Sequence, residues 1–265
     1  MIQFDRYKYG KKHILTMSYD DGHAEDRKLV EIFNKYGIKG TFHINSGTLN
    51  EAETVNKNEI KELYAQHEVA VHTISHPHLE RLPIQNVIQE VIFDRQNLEH
   101  LCGYPVRGMS FPFSTYNDDV LRAVNSCGIA YSRTTNSTKN FSFLMNFLAW
   151  NPTCHHNDEL IAMGNKFLDD FNFPWRSDLF YVWGHSYEFS RDNNWILIEE
   201  FCKQMANHEQ VWYATNIEII DYINAQRNLR ITVDNKTIYN PSVQTVWVSN
   251  DEETIEIKGG ETLNL

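Results

Sequence analysis

Along most of the chain, short apolar runs rich in β-branched and aromatic residues alternate with longer segments of helical period. The strand-like runs fall at residues 14–19, 40–45, 68–72, 108–112, 129–133, 145–150 and 179–185. Between and after them, residues 24–36, 56–66, 83–101, 117–127, 158–168, 193–207 and 216–228 read as helices. In the first of these, Leu29, Ile32 and Phe33 share one face and Gly37 follows as a C-cap. Such alternation marks β-α units around a parallel sheet. After about residue 228 the pattern changes to apolar-polar alternation around Asn and Gly turns, which predicts three or four short antiparallel strands. The expected organisation is a β/α domain over residues 1–227 and a β-strand extension over 228–265 that packs on it.

With 265 residues and 42% hydrophobic content the chain can build one large core. Its formal charge of −11 offers no basic footprint, so neither nucleic acid nor an anionic membrane surface is an expected partner, while a homo-oligomer is allowed. The N-terminus lacks a signal-peptide core and no run reaches about 18 apolar residues, which points to a cytoplasmic protein. Cys102, Cys127, Cys154 and Cys202 are scattered without a CxxC pair, so reduced thiols are expected rather than a disulfide framework or a thiolate zinc site.

Three clusters each end a strand-like run, the edge where a parallel α/β barrel gathers its catalytic groups. In Ser18-Tyr19-Asp20-Asp21-Gly22, two adjacent carboxylates repel each other, and a cation or a shared proton should compensate them. The same pair could instead open the following helix as an N-cap. In the second cluster, residues 72–78, His72 and His76 are four apart, so one helical turn would bring both imidazoles to one ion. With one aspartate they make a two-His, one-carboxylate set with open positions, a catalytic rather than a closed structural arrangement. In Trp183-Gly184-His185-Ser186, His185 can act as a general acid or remain a core histidine.

The order of these clusters resembles the polysaccharide deacetylase family, carbohydrate esterase family 4, over roughly residues 10–225. The resemblance implies a distorted (β/α)7 TIM-like barrel, here with the short C-terminal β-rich extension. It implies Asp20 as general base, Asp21, His72 and His76 as metal ligands, and His185 as general acid. The family's third motif is met only in part. Arg107 stands three residues before Ser110, the position where the family has its arginine, and Pro112-Phe113 keep the rest. An offset of three reverses the face of a strand, so Arg107 could substitute only across a bulge. The fourth motif keeps Trp150 but loses its acids, leaving His185 without an orienting carboxylate. His155 and His156, in the polar stretch after Trp150, are candidates for that role or for substrate contact, and Trp183 and Phe113 for stacking on a sugar ring.

The resemblance implies hydrolysis of an N-acetylated sugar or oligosaccharide, with Asp20 taking a proton from water at a divalent metal and His185 protonating the departing amine. Zinc is the first expectation for the metal, and cobalt, nickel, iron or manganese also suit the ligand set. Two alternatives stay open: hydrolysis of another linear or cyclic amide, and a carbohydrate-binding protein whose altered third and fourth motifs have cost it activity. No G-x-S-x-G elbow signals an acyl-enzyme route.

Overall fold

The computed structural model describes residues 1–143, 146–173 and 175–265. The chain begins with β1 (Ile2–Gln3) and β2 (His13–Asp20), then alternates α1 (Asp26–Tyr36), β3 (Gly40–Ile44), α2 (Ile60–Leu63), β4 (Glu68–Val71), α3 (Ile84–Cys102), β5 (Gly108–Ser110), α4 (Asp118–Ser126) and β6 (Tyr131–Arg133). It continues through β7 (Cys154–His155), α5 (Leu160–Asp169), β8 (Asp178–His185), α6 (Tyr187–Arg191), α7 (Trp195–Met205), β9 (Val211–Tyr213) and α8 (Asn216–Arg227). Five short strands follow: β10 (Arg230–Ile231), β11 (Thr237–Tyr239), β12 (Val246–Asn250), β13 (Glu253–Ile257) and β14 (Thr262–Asn264).

Strands β2 to β9 form one all-parallel sheet in the order β6-β5-β4-β3-β2-β8-β7. β8 pairs with the whole of β2, so β9 and β3 share the other edge of β2, at His13–Leu15 and Met17–Asp20 respectively. The sheet curls into the distorted (β/α)7 barrel that the sequence predicts. Its two end strands approach through residues 150–155, where Trp150 bridges to Arg133 and Cys154–His155 pair with β8. The strand expected over 145–150 is not formed. Phe147–Ala149 make a 3-10 turn and only Trp150 joins the sheet, while Met145 lies outside the described residues. A short apolar run carries no period of its own, and here the rings of Phe147 and Trp150 pack on one another instead of extending.

Alternation along the strands separates two environments. Leu15, Met17 and Tyr19 of β2 face outward into an apolar layer with Phe33, Phe42 and Phe180, beneath the helices. Thr16, Ser18 and Asp20 face inward, and the barrel interior is correspondingly polar. Thr16 Oγ1 donates to Asn216 Oδ1 at 2.8 Å, and Asn216 Nδ2 donates to the Tyr181 hydroxyl at 2.6 Å. Glu68, buried on β4, accepts from Tyr131 Oη (2.7 Å), Thr41 Oγ1 (3.0 Å) and the Ile217 amide (2.8 Å). The start of α8 therefore closes the lower end of the barrel, its free amide and positive dipole end meeting a carboxyl that burial has pushed up to about 7.

The C-terminal strands form two three-stranded antiparallel sheets, one with the order β10-β11-β14 and one that recruits the N-terminal strand, β1-β12-β13. Val246, Val248 and Ile257 enter a second apolar cluster with Ile14, Trp212 and Tyr222. Gln226 Nε2 ties α8 to both ends of the chain by donating to the carbonyls of Arg6 (2.8 Å) and Trp247 (2.9 Å).

Gly108 shows how tightly the interior layer is fitted. A Cβ there would stand 2.2 Å from Tyr131 Oη and 2.6 Å from Glu68 Oε1. Gly108→Ala is expected to break the Tyr131–Glu68 bond and destabilise the protein by about 1–3 kcal/mol. An unchanged urea midpoint would show that this layer does not hold the barrel.

Candidate active site and metal centre

The upper edge of the barrel collects its polar groups because β2, β5, β6 and β8 end there on an inward position and β3 places His43 inward one residue before its end. In register, Asp20 sits beside His43 and His185, and Ser110 beside Arg133. The loops that leave this edge hold several residues at positive φ: Asp21 (79°), Thr73 (67°), His76 (55°), Phe113 (56°) and Ser114 (56°). For residues with side chains these are uncommon backbone states, and their concentration at one rim marks a shaped site.

Asp20 is buried and surrounded by donors. The Arg133 guanidinium binds its Oδ2, Ser110 Oγ donates to Oδ1 at 3.1 Å, and His43 Nδ1 lies 3.3 Å from Oδ1. Burial alone would push the Asp20 pKa up, but Arg133, His72 and His43 hold the carboxyl well below the usual carboxylate range. It is an ionised acceptor throughout the neutral range. Arg133 is itself 1% exposed and lies under the Trp183 ring, its guanidinium carbon 4.8 Å from the ring centroid.

Asp21, turned by its left-handed backbone, points across the mouth rather than into the barrel. Its Oδ1 lies 3.5 Å from His72 Nε2 and 3.7 Å from His76 Nε2, and the three side chains offer ligand atoms that all lie within 4.8 Å of one another. The two histidines do not share the helical turn that their spacing predicts. The segment after β4 is a loop, and positive φ at Thr73 and His76 brings the rings to a centroid distance of 4.8 Å. His72 fits a metal by its chemistry. Its Nδ1 meets the Ser110 carbonyl at 3.0 Å, which fixes the proton on Nδ1, while Nε2 is buried with no hydrogen-bond partner. Burial pushes His72 down to about 4, so the ring is neutral and its free lone pair faces Asp21. A buried unpartnered nitrogen, a second imidazole and a carboxylate make a donor set suited to zinc and its neighbours.

His185 ends β8 with Nε2 3.9 Å from Asp21 Oδ2 and Nδ1 3.6 Å from Glu188 Oε2. Burial works against its charged form, but Glu188, Asp20 and Asp21 outweigh burial and raise its pKa. Glu188, on α6, also lies 3.0 Å from His155 Nε2 and 3.1 Å from His156 Nε2. Burial raises the Glu188 pKa in isolation, and these three histidines drive it far below the usual carboxylate range. Sequence reasoning missed both Arg133 and Glu188. Each had a signal: an arginine at an inward strand position, and a carboxylate three residues after His185.

The other residues expected at the site divide between the mouth and positions away from it. Arg107 is at the opposite end of β5, where its guanidinium pairs with Asp221 at 2.5 and 3.0 Å; no bulge carries it to the mouth. Trp150 is buried against Tyr131 and Tyr181, below the site. His156 is fully buried, stacked on Phe189 at 4.3 Å, so it faces Glu188 and not solvent. Gly184 makes room for it, since a Cβ there would come 2.0 Å from His156 Nδ1. Pro112 is buried, and it leads to Phe113, which is 54% exposed and stacks on His78 at 4.0 Å beside His76. Trp183 and His155 stand at the mouth in edge contact, 4.6 Å between centroids.

The two arginines separate the assignments. Arg133→Met strips a buried carboxylate of its partner and should cost about 3–5 kcal/mol in chemical denaturation. Arg107→Met breaks a pair whose side chains are 37% and 34% exposed and should cost about 0–1 kcal/mol. The reverse order would contradict the placement of Arg133.

The polysaccharide deacetylase family model matches residues 7–132. YxkH of Bacillus subtilis (strain 168), which carries a polysaccharide deacetylase name, is 25% identical over 124 residues, covering 46% of this chain and 44% of that protein. The chain thus spans less than half the length of this curated relative. Two solved structures share the fold. One, from Mycobacterium smegmatis and named for the same family, has a TM-score of 0.65 at 14% identity, over 83% of this chain and 93% of that one. The other is wild-type BA3943 of Bacillus anthracis, described as a CE4 family pseudoenzyme, with a TM-score of 0.52 at 17% identity, over 80% and 66%. The polysaccharide deacetylase family model thus matches just under half of the chain, residues 7–132, and the likeness of fold to the Mycobacterium smegmatis structure extends beyond that segment.

Proposed function

We propose that this protein hydrolyses the acetamide of an N-acetylated sugar or oligosaccharide, releasing acetate and a free amine. The observation that carries this reading is the meeting of Asp21, His72 and His76 at one barrel mouth, with Asp20 on one side and His185 on the other. A divalent metal held by Asp21, His72 and His76, zinc or one of the other borderline cations, supplies Lewis acidity toward the amide carbonyl and toward water.

The side chains divide the remaining work. Asp20 stays ionised and accepts the proton of the attacking water, with Arg133, Ser110 and His43 fixing its orientation. His185, whose charged form is favoured by Glu188, Asp20 and Asp21, delivers a proton to the departing nitrogen. Glu188 faces His185 Nδ1 at 3.6 Å, an ion-pair distance, and leaves Nε2 toward the mouth, the role for which the sequence offers no family carboxylate. Trp183 and Phe113 offer ring faces for a pyranose, and Phe113 N–H is the oxyanion donor of this reading. No membrane or nucleic-acid contact enters this reading, and no helix among the described residues is long and apolar enough to cross a membrane.

Two substitutions divide the roles. His76→Ala should remove metal binding and acetate release together. Asp20→Asn should keep the metal, as measured by elemental analysis, and lower kcat by about 100-fold or more. Turnover retained in His76→Ala would refute the ligand assignment, and an unchanged kcat in Asp20→Asn would make Asp20 structural. Stoichiometric metal without acetate release from any N-acetylated sugar would shift the reading to another C–N bond.

A further inference from the structure

Beside the first ligand set lies a second group with metal-ligand geometry. His155 on β7, His185 at the end of β8 and Glu188 on α6 offer nitrogen and oxygen atoms all within 4.8 Å of one another. His155 Nε2 is 3.0 Å and His185 Nδ1 is 3.6 Å from Glu188 Oε2. Bonds of about 2.0–2.1 Å in a tetrahedral site place ligand atoms on the order of 3.3 Å apart, which these spacings bracket. The corresponding spacings at Asp21, 3.5 and 3.7 Å, are no tighter.

Glu188 Oε2 is also oversubscribed. Besides those two nitrogens it lies 3.1 Å from His156 Nε2 and accepts the backbone amide of His185 at 3.3 Å. A carboxylate oxygen has two lone pairs, so four surrounding nitrogens cannot all be satisfied by it. Among the described residues, His185 Nδ1 and both ring nitrogens of His156 are buried without a hydrogen-bond partner. A cation resolves this crowding, because imidazoles then turn lone pairs rather than protons toward the centre. His155 Nδ1 accepts the exposed amide of Asn157 at 3.1 Å. Coordination through Nε2 moves the His155 proton to Nδ1 and turns that amide to water, which makes this site the weaker of the two.

We propose that His155 Nε2, His185 Nδ1 and Glu188 Oε2 form a second, lower-affinity site for a divalent transition metal whose occupancy silences the enzyme. The site itself stands on geometry, whereas the silencing rests on the acid role given to His185 above. When the metal binds, Nδ1 of His185 gives its lone pair to the ion and the Nδ1 proton leaves to solvent. The ring keeps only its Nε2 proton as a neutral imidazole and has none to deliver near neutral pH. The order of filling follows: one metal activates, and a second, at higher concentration, inhibits.

The test counts metal first. Chelated full-length protein is titrated with Zn2+, and bound zinc is measured by equilibrium dialysis and elemental analysis. The wild type should take two zinc per chain, His155→Ala only the tighter one, and Asp21→Asn only the weaker one. Acetate release from an N-acetylated oligosaccharide should fall on the order of 100-fold as the second zinc binds, the share carried by a lost general acid. That zinc-dependent fall should vanish in His155→Ala. One zinc in the wild type, or an undiminished second zinc in His155→Ala, overturns the site. Should His155→Ala fail to fold, the wild-type and Asp21→Asn counts still decide. A second zinc with no fall in rate overturns the silencing alone. No acetate release at one zinc counts against the proposed function, and the count of two would still stand.

Discussion

A carboxylate buried at the end of a central strand has to be compensated, and the upper half of this barrel is organised around that requirement. Asp20 cannot be solvated, so Arg133, Ser110 and His43 converge on it from three other strands. Arg133 can reach it only because the barrel curls far enough to bring β6 opposite β2, and Trp183 covers the guanidinium from the β8 side. Ser110 serves both sides of the site, donating to Asp20 while its hydroxyl, 2.7 Å from His72 Nδ1, helps fix the tautomer that leaves Nε2 free. One buried charge and its partners thereby fix the orientation of both Asp20 and His72.

The same inward positions continue downward as a hydrogen-bonded layer of Thr16, Thr41, Glu68, Tyr131, Tyr181 and Asn216, closed by the amino end of α8. Polar groups inside and apolar groups outside invert the usual expectation for a barrel core. The inversion is tolerated because the one carboxyl in the layer, Glu68, accepts from Tyr131, Thr41 and the Ile217 amide. The candidate site lies at the rim, where positive-φ loops swing Asp21, His76 and Phe113 over the mouth and α6 carries Glu188 behind His185. Asp21 and His185 stand between the two groups of imidazoles, with His185 Nε2 3.9 Å from Asp21 Oδ2.

What the sequence discloses follows the range of the interactions. Asp20, Asp21, His72, His76 and His185 lie in short runs that directly end strands, so both the chemistry and its place on the rim are local information. Arg133 acts across the barrel, and nothing within a few residues of it signals a carboxylate. Only closure makes it Asp20's partner, and Arg107, nearer in sequence to the expected position, ends on the far edge with Asp221. Glu188 was hidden by a different cause, since it lies within one turn of His185 but in a helix of five residues, too short for periodicity to reveal. The strand elements were legible wherever a β-branched run was bounded by turns. The exceptions were the 145–150 region, whose aromatics pack locally, and β1, β7 and β9, which are two or three residues long.

The most direct measurement is acetate release from a panel of N-acetylated sugars and oligosaccharides by chelated protein, reloaded separately with one equivalent of zinc, cobalt, nickel or manganese. No release is expected from the chelated protein, and recovery on reloading should track the metal bound at Asp21, His72 and His76. Release that persists undiminished after complete removal of metal would contradict this expectation.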